Sequence, residues 1–167
     1  MSSDLSTCDL CDAHKAELPG PADSGFRVLP PVFRSFGGRA RFAGTVQTVK
    51  CFEDNSAVKA ALESPGGGAV LVVDGGGSLR RALIGGNIAA AAARNGWAGV
   101  VVDGCVRDVA ELAASDVGIC ALAAMPLPTD RRGEGQRDVA VQIQGVWIRP
   151  GDRLVADADG IVVMAPA

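Results

Sequence analysis

Apolar residues along this chain fall into short runs separated by glycine-rich or proline-rich breaks. Ala69-Val70-Leu71-Val72-Val73 and Gly99-Val100-Val101-Val102 are apolar without alternation, the pattern of strands buried on both faces, as in a parallel sheet. Residues 118–123 repeat that pattern. Between these runs lie helical stretches. Residues 56–63 form one, and a second is expected to open at Asn87 as its N-cap, run through five alanines and stop at Asn95-Gly96. A third starts at Arg107 or Asp108 and ends near Ser115. Towards the N-terminus, Ser6 or Thr7 begins a short helix within residues 1–18. Residues 19–31, with Pro21, Pro30 and Pro31, read as a connecting segment. Residues 33–51 alternate loosely, with Phe42-Ala43-Gly44-Thr45-Val46 as strand. After a polar loop at 129–137 the pattern changes to short strands at 139–143, 146–148, 154–156 and 161–164, joined by turns. Units of α/β therefore come first and β hairpins last. The expectation is a single compact α/β domain over residues 1–167, with a central sheet, C-terminal β hairpins, and residues 1–31 as an N-terminal helix and arm.

Composition adds three points. A chain of 167 residues suits one domain and buries about two-thirds of its unfolded surface. An apolar fraction of 48% and a mean hydropathy of +0.23 leave apolar surface that tends to become a subunit interface. A net charge of −3 with no basic stripe argues against direct nucleic-acid binding. No run approaches the roughly 20 apolar residues of a membrane span, and the N-terminus lacks a signal-peptide layout, so a cytoplasmic location is expected. Five scattered cysteines suggest free thiols, and Cys8-Asp9-Leu10-Cys11 reads as part of a capped helix rather than a zinc or redox motif, with His14 the sole histidine.

Candidate chemistry concentrates at three strand ends. Gly85-Gly86-Asn87-Ile88 precedes a helix N-terminus, where outward N–H groups and the helix dipole favour an anion such as a carboxylate. The same residues also suit a plain tight turn. Asp103-Gly104-Cys105-Val106-Arg107-Asp108 leaves a buried strand, where ligands of such sheets collect. Arg107 offers a planar fork to a carbonyl or carboxylate, and Asp108 a hard oxygen for Mg²⁺ or Mn²⁺. An Arg-Asp pair can equally be a charge feature of a helix start. Cys105 reads as a small wall residue of this site. Asp74-Gly75-Gly76-Gly77-Ser78 either walls the same cleft or forms a turn with Ser78 as a helix cap. No GxGxxG or Walker pattern is complete, which argues against a nucleotide site.

These segments together carry a resemblance. Asp74-Gly75-Gly76-Gly77-Ser78-Leu79-Arg80-Arg81-Ala82-Leu83, Gly85-Gly86-Asn87, Asn95-Gly96-Trp97-Ala98-Gly99 and Asp103-Gly104-Cys105-Val106-Arg107-Asp108 follow one another as in the RraA / 4-hydroxy-4-methyl-2-oxoglutarate aldolase family. Phe36-Gly37-Gly38-Arg39-Ala40, Gly133-Glu134-Gly135 and Ala156-Asp157-Ala158-Asp159-Gly160 are similar too. The resemblance implies a β/β/α swivelling-domain fold, assembled as a homotrimer or as a hexamer with the site near a subunit interface. It implies a class II aldolase that splits 4-hydroxy-4-methyl-2-oxoglutarate into two pyruvates and decarboxylates oxaloacetate through a pyruvate enolate. The family's alternative role is inhibition of ribonuclease E. By resemblance, Gly85, Gly86, Asn87 and Ile88 hold the substrate carboxylate, Arg107 is the catalytic contact to the 2-keto acid, and Asp108 supports a divalent metal, Mg²⁺ or Mn²⁺. One departure stands out. Aldolase members tend to carry an acid 21 positions before the arginine, where this chain has Gly86. The expectation is that Gly86→Asp raises aldol cleavage more than decarboxylation.

Overall fold

The computed structural model describes residues 4–167. In chain order the elements are α1 (Thr7–Ala13), a 3₁₀ turn (Lys15–Glu17), β1 (Phe26–Val28), β2 (Arg34–Ser35), β3 (Phe42–Lys50), α2 (Ser56–Leu62), β4 (Val70–Asp74), β5 (Ala82–Ile84) and α3 (Gly86–Arg94). There follow β6 (Gly99–Val106), α4 (Val109–Ala113), β7 (Gly118–Ala124), β8 (Gln136–Arg137), β9 (Val141–Ile143), β10 (Val146–Ile148), β11 (Arg153–Asp157) and β12 (Gly160–Met164).

A ten-stranded sheet runs β1-β12-β11-β3-β4-β6-β7-β2, with β5 paired to β6 and β8 to β3. Its centre, β3-β4-β6-β7, is parallel, and β11, β12 and β1 continue it antiparallel. The unalternated apolar runs explain this placement. Leu71, Val73, Val100 and Val102 pack into one cluster with Leu62 of α2 and Ile88, Ala89 and Ala92 of α3. Their neighbours Val70, Val72 and Val101 pack on the opposite face, against Val141, Ile143 and Ile148 of the β9–β10 hairpin and Leu154 and Val163. The hairpin, sheet and helix layers form the expected β/β/α arrangement. Each central strand is buried on both faces, so a polar residue on either one would need a partner.

Local signals account for the helix ends. Ser6 and Asp9 form a reciprocal capping box that starts α1, the helix that carries Cys8 and Cys11. The alanine run propagates α3, and Gly96, at φ +77°, ends it in the left-handed conformation that glycine adopts without steric cost.

Several boundaries differ from those expected. The N-cap of α3 is Gly85, and Asn87 is already inside the helix. The reason is space: a Cβ on Gly85 would lie 2.7 Å from Asp108 Oδ2 and 3.4 Å from Arg107 Cγ, so packing selects the residue that caps. Strand β6 continues through Asp103-Gly104-Cys105 to Val106, because β5 supplies it with a partner, Ala82 opposite Cys105 and Ile84 opposite Val106. Only Arg107-Asp108 leave the strand end. No helix follows Ser78, since the chain goes directly into β5. The proline-rich 19–31 segment contains β1, held to β12 by long-range pairing that no local pattern announces. No described helix is long and apolar enough to cross a membrane.

Candidate active site

The ends of β5 and β6 deliver Gly85 and Arg107 to one edge of the parallel sheet, beyond the carboxyl ends of its strands. There a cleft of about 520 Å³ opens. One wall is Gly85, Gly86, Asn87 and Ile88 with Arg107 and Asp108, and the facing wall is Asn55 with Pro128, Thr129, Asp130 and Arg131. Every residue expected from the sequence to bind substrate or metal lies on this cleft.

Asp108 is the pivot. Its backbone is left-handed (φ 57°, ψ 47°), a conformation that aspartate tolerates better than most residues but that still costs energy. This turn aims the carboxylate back at α3, where Oδ2 accepts the Gly86 N–H at 2.9 Å. A negative group at a helix N-terminus is favoured by the dipole and by the unpaired N–H groups there. One donor of the expected anion cradle is thus taken by the protein's own carboxylate, while the Asn87 and Ile88 N–H groups have no partner among the described residues. The backbone N–H of Arg107 is tied to Ile84 O at 2.9 Å, and its side chain passes over Gly85. No hydrogen bond or ion pair engages that guanidinium among the described residues, so it is available to an incoming anion.

Glu111 is the residue the sequence reading missed. A Cβ on Gly86 would lie 1.6 Å from Glu111 Oε2 and 2.7 Å from its Cδ. The Glu111 carboxylate therefore occupies the space that a side chain at position 86 would fill. An acid is present at this spot, contributed by α4 rather than by α3. Its signal in the sequence was its place three residues after Asp108, in the first turn of the helix that Asp108 caps. A carboxylate introduced by Gly86→Asp would share this space with one already there, and the exposed Glu111 side chain would have to shift to admit it.

The facing wall is built on Asp54 and Asn55, both buried. Asn55 donates to Leu83 O at 3.0 Å, and its Oδ1 accepts from the Thr129 hydroxyl at 2.9 Å and Arg131 Nε at 3.1 Å. Asp54 accepts from the backbone N–H groups of Ser56, Arg132 and Glu134 at 2.9, 2.8 and 3.1 Å. Burial alone would raise the Asp54 pKa, but these hydrogen bonds and that of the Ser56 hydroxyl outweigh it and hold it down at about 2.

Two expected contributors fall outside the cleft. Cys105 is wholly buried in β6, where burial raises its thiol pKa, and it does not line the cavity. Asp74-Gly75-Gly76-Gly77-Ser78 closes on itself and on Glu53 instead of walling the site.

A family model for RraA-like proteins, Aldolase/RraA, matches residues 7–163. The chain belongs to the RraA-like family. A relative from Albidiferax ferrireducens, named provisionally as a 4-hydroxy-4-methyl-2-oxoglutarate aldolase, is 68% identical over 99% of this chain and 98% of its own. The solved RNA-processing inhibitor RraA from Thermus thermophilis is 48% identical, with a TM-score of 0.89 over 98% of this chain and 94% of that one. A Geobacillus kaustophilus structure, described as an S-adenosylmethionine: 2-dimethylmenaquinone methyltransferase, is 41% identical with a TM-score of 0.87, covering 98% of this chain and 96% of that one. The RraA-like fold thus appears under three different functional names, and the chemistry of the cleft must discriminate among them.

Proposed function

We propose that this RraA-like protein is a lyase that cleaves 4-hydroxy-4-methyl-2-oxoglutarate into two pyruvates and also decarboxylates oxaloacetate. The name borne by the 68% identical relative supports this. The observation that carries it is the juxtaposition of an unpaired Arg107 guanidinium with a carboxylate, Asp108, fastened to the N-terminus of α3.

Both reactions break a C–C bond next to a 2-keto acid and leave negative charge on the 2-keto oxygen. Arg107 supplies a fixed, forked cation for that oxygen or the adjacent carboxylate. The Asn87 and Ile88 N–H groups suit the carboxylate of the 2-keto acid. Glu111, whose carboxylate reaches the space beside Gly86, is the candidate acid–base group for the proton that leaves the 4-hydroxyl and later reaches C3 of the enolate.

The cleft also fits a hard divalent cation. No group of three or more His, Cys, Asp or Glu is gathered among the described residues. Asp108 and Glu111 nevertheless stand one helical turn apart, and Mg²⁺ commonly keeps several waters and uses one or two carboxylates. Asp108 would hold Mg²⁺ or Mn²⁺ with several waters, leaving Glu111 free for proton transfer. Such an ion would supply Lewis-acid polarisation of the 2-keto oxygen.

The test is pyruvate release from both substrates, with Mg²⁺ or Mn²⁺ and again after chelation. Metal-dependent release is expected from each, and its absence at high protein concentration would end the lyase reading. A second reading draws on the Thermus protein, described as an RNA-processing inhibitor, and takes this chain to bind and inhibit ribonuclease E. Inhibition of that nuclease by protein lacking pyruvate-releasing activity would favour it. We further infer a cytoplasmic homotrimer, or a hexamer built from two trimers. Its support is the exposed apolar Val109 and Leu127 beside the cleft, and light scattering is its check.

A further inference from the structure

We propose that Arg131 determines the substrate specificity of this cleft by pairing with the second, distal carboxylate of a dicarboxylic 2-keto acid. The proposal rests on the lyase reading for the position of the 2-keto end, which Arg107 and the N-terminus of α3 take.

Three observations carry it. First, the cleft holds two arginines, Arg107 on one wall and Arg131 on the other, and the terminal nitrogens of neither make a hydrogen bond or ion pair among the described residues. Asp130, beside Arg131 on the same wall, makes no ion pair with it. Two unpaired forks lining one cleft match a ligand with two anionic ends, whereas a monoacid would leave one fork unused.

Second, Arg131 is held in place although it sits on an exposed polar loop. Its Nε donates to Asn55 Oδ1 at 3.1 Å, and Asn55 is buried and donates in turn to Leu83 O, two residues before Gly85. Asn55 thus ties both walls of the cleft together. The loop around Arg131 is further secured by Thr129 to Asn55, Arg132 and Glu134 to Asp54, and Gly133 N–H to the Ser56 hydroxyl at 3.1 Å. An exposed loop with this many anchors has lost conformational entropy that few apolar contacts offset, and the gain is a guanidinium at a set distance from Arg107. Third, a cavity of about 520 Å³ lies within the range used for small-molecule ligands and exceeds what one pyruvate unit would fill.

The pairing affects the two reactions differently. In aldol cleavage of the six-carbon diacid, the C3–C4 bond breaks and its electrons pass to the 2-keto fragment as an enolate. The 4-hydroxyl proton moves to a base and then to C3, giving the first pyruvate. The distal carboxylate departs intact on the second pyruvate, so Arg131 holds it throughout. In oxaloacetate the distal carboxylate is itself lost as neutral CO₂. Pairing it with Arg131 strengthens binding but gives the bond-breaking step no help, since the charge that Arg131 stabilises disappears.

The experiment compares wild type, Arg131→Gln and Arg131→Lys, each checked for folding by thermal melt. Binding of 2-oxoglutarate, a diacid, and 2-oxobutyrate, its monoacid counterpart, is measured by calorimetry with Mg²⁺ present. Wild type should prefer the diacid. Arg131→Gln should weaken diacid binding by about 10–100-fold, the span of a charge-assisted hydrogen bond, and leave the monoacid unchanged. Arg131→Lys should recover part of the loss. For oxaloacetate, Arg131→Gln should raise KM without lowering kcat. No diacid preference in wild type, or equal weakening of both ligands in Arg131→Gln, overturns the proposal. Diacid preference that depends on Arg131 in a protein releasing no pyruvate would leave the subsite standing and remove the lyase reading. Pyruvate release with a diacid-to-monoacid ratio unchanged by Arg131→Gln would do the reverse.

Discussion

Two glycine-rich turns lie close together in this chain and end differently. Residues 74–78 and residues 85–88 each follow a buried strand, and both are candidate ligand loops by pattern. In the first, the N–H groups of Gly76 and Gly77 and the Ser78 hydroxyl all find protein partners. The Gly76 N–H donates to Asp74 Oδ1 at 2.9 Å and the Gly77 N–H to Asp103 O at 3.0 Å. The Ser78 hydroxyl and the Nε and Nη2 of Arg80 donate to the Glu53 carboxylate at 2.6–2.8 Å. These bonds, that from Arg80 first, lower the Glu53 pKa. Gly76 and Gly77 have φ of +68° and +69°, so glycine serves the backbone conformation. In the second turn neither Gly85 nor Gly86 has positive φ. They are glycine because Asp108 and Glu111 occupy the space of their side chains. Here the Arg107 guanidinium and two helix N–H groups stay unpaired among the described residues. Glycine content alone does not mark a site; unsatisfied polar groups around it do.

The sharpest test of this contrast is Arg107→Ala, which should lower kcat for pyruvate release by about 10²–10³ with the melting temperature unchanged. Arg107→Lys should also be poor, because it loses the fork. Wild-type turnover in either variant would mean that the unpaired arginine is not the working one.

Gly86→Asp separates glycine for space from glycine for conformation. Its Cβ would meet the end of the exposed Glu111 side chain, which can swing aside, so the variant should fold with little loss of stability but have lower activity in both reactions, because Glu111 is displaced. Glu111→Gln, which keeps the size of the side chain and removes its proton-accepting charge, tests whether Glu111 is the acid–base group. That change in an otherwise wild-type protein should slow aldol cleavage by about 10²-fold and oxaloacetate decarboxylation less. A folded Gly86→Asp protein with faster aldol cleavage would contradict the assignment.

Asp54→Asn addresses the facing wall. The folded-state pKa of Asp54 is depressed to about 2, below the ordinary carboxylate value. Its contribution to stability is therefore complete above the unfolded value near 3.9 and disappears as pH falls through about 2. At neutral pH Asp54→Asn should melt several degrees lower, at about 2–4 °C per kcal/mol lost for a chain of this length. The gap from wild type should narrow as pH falls from 4 towards 2. A gap constant with pH would show that the ionised form is not what holds the loop.

The smallest effect is expected from Arg80→Ala in the saturated turn. Exposed ion pairs contribute little, so turnover should match wild type. A large loss of activity would mean that the first turn takes part in the site after all.

How much could be read from the sequence varied with the range of the interaction. The buried strands were legible because β4, β6 and β7 carry apolar residues at consecutive positions, which only burial on both faces explains. The ends of α3 were nearly so, off by the one cap where packing overrode the usual preference for asparagine. Arg107 and Asp108 were found because they are adjacent and follow a strand. Strand β1 was missed in a proline-rich segment because its pairing with β12 is entirely long-range. Asn55 and Arg131 were missed because nothing local distinguishes a wall residue from an ordinary loop residue.

The sequence alone thus determined the parallel centre, from residue types within a few positions of one another, and the family, from several motifs in order along the chain, with the layering implied by that resemblance. The tertiary structure decided which polar groups were left for a ligand. Satisfaction of a hydrogen bond depends on partners distant in the chain: Gly86 meets Asp108 across 22 positions, and Arg131 meets Asn55 across 76. Only folding brings those atoms within bonding distance, and so only the fold distinguishes the closed turn at 74–78 from the open one at 85–88.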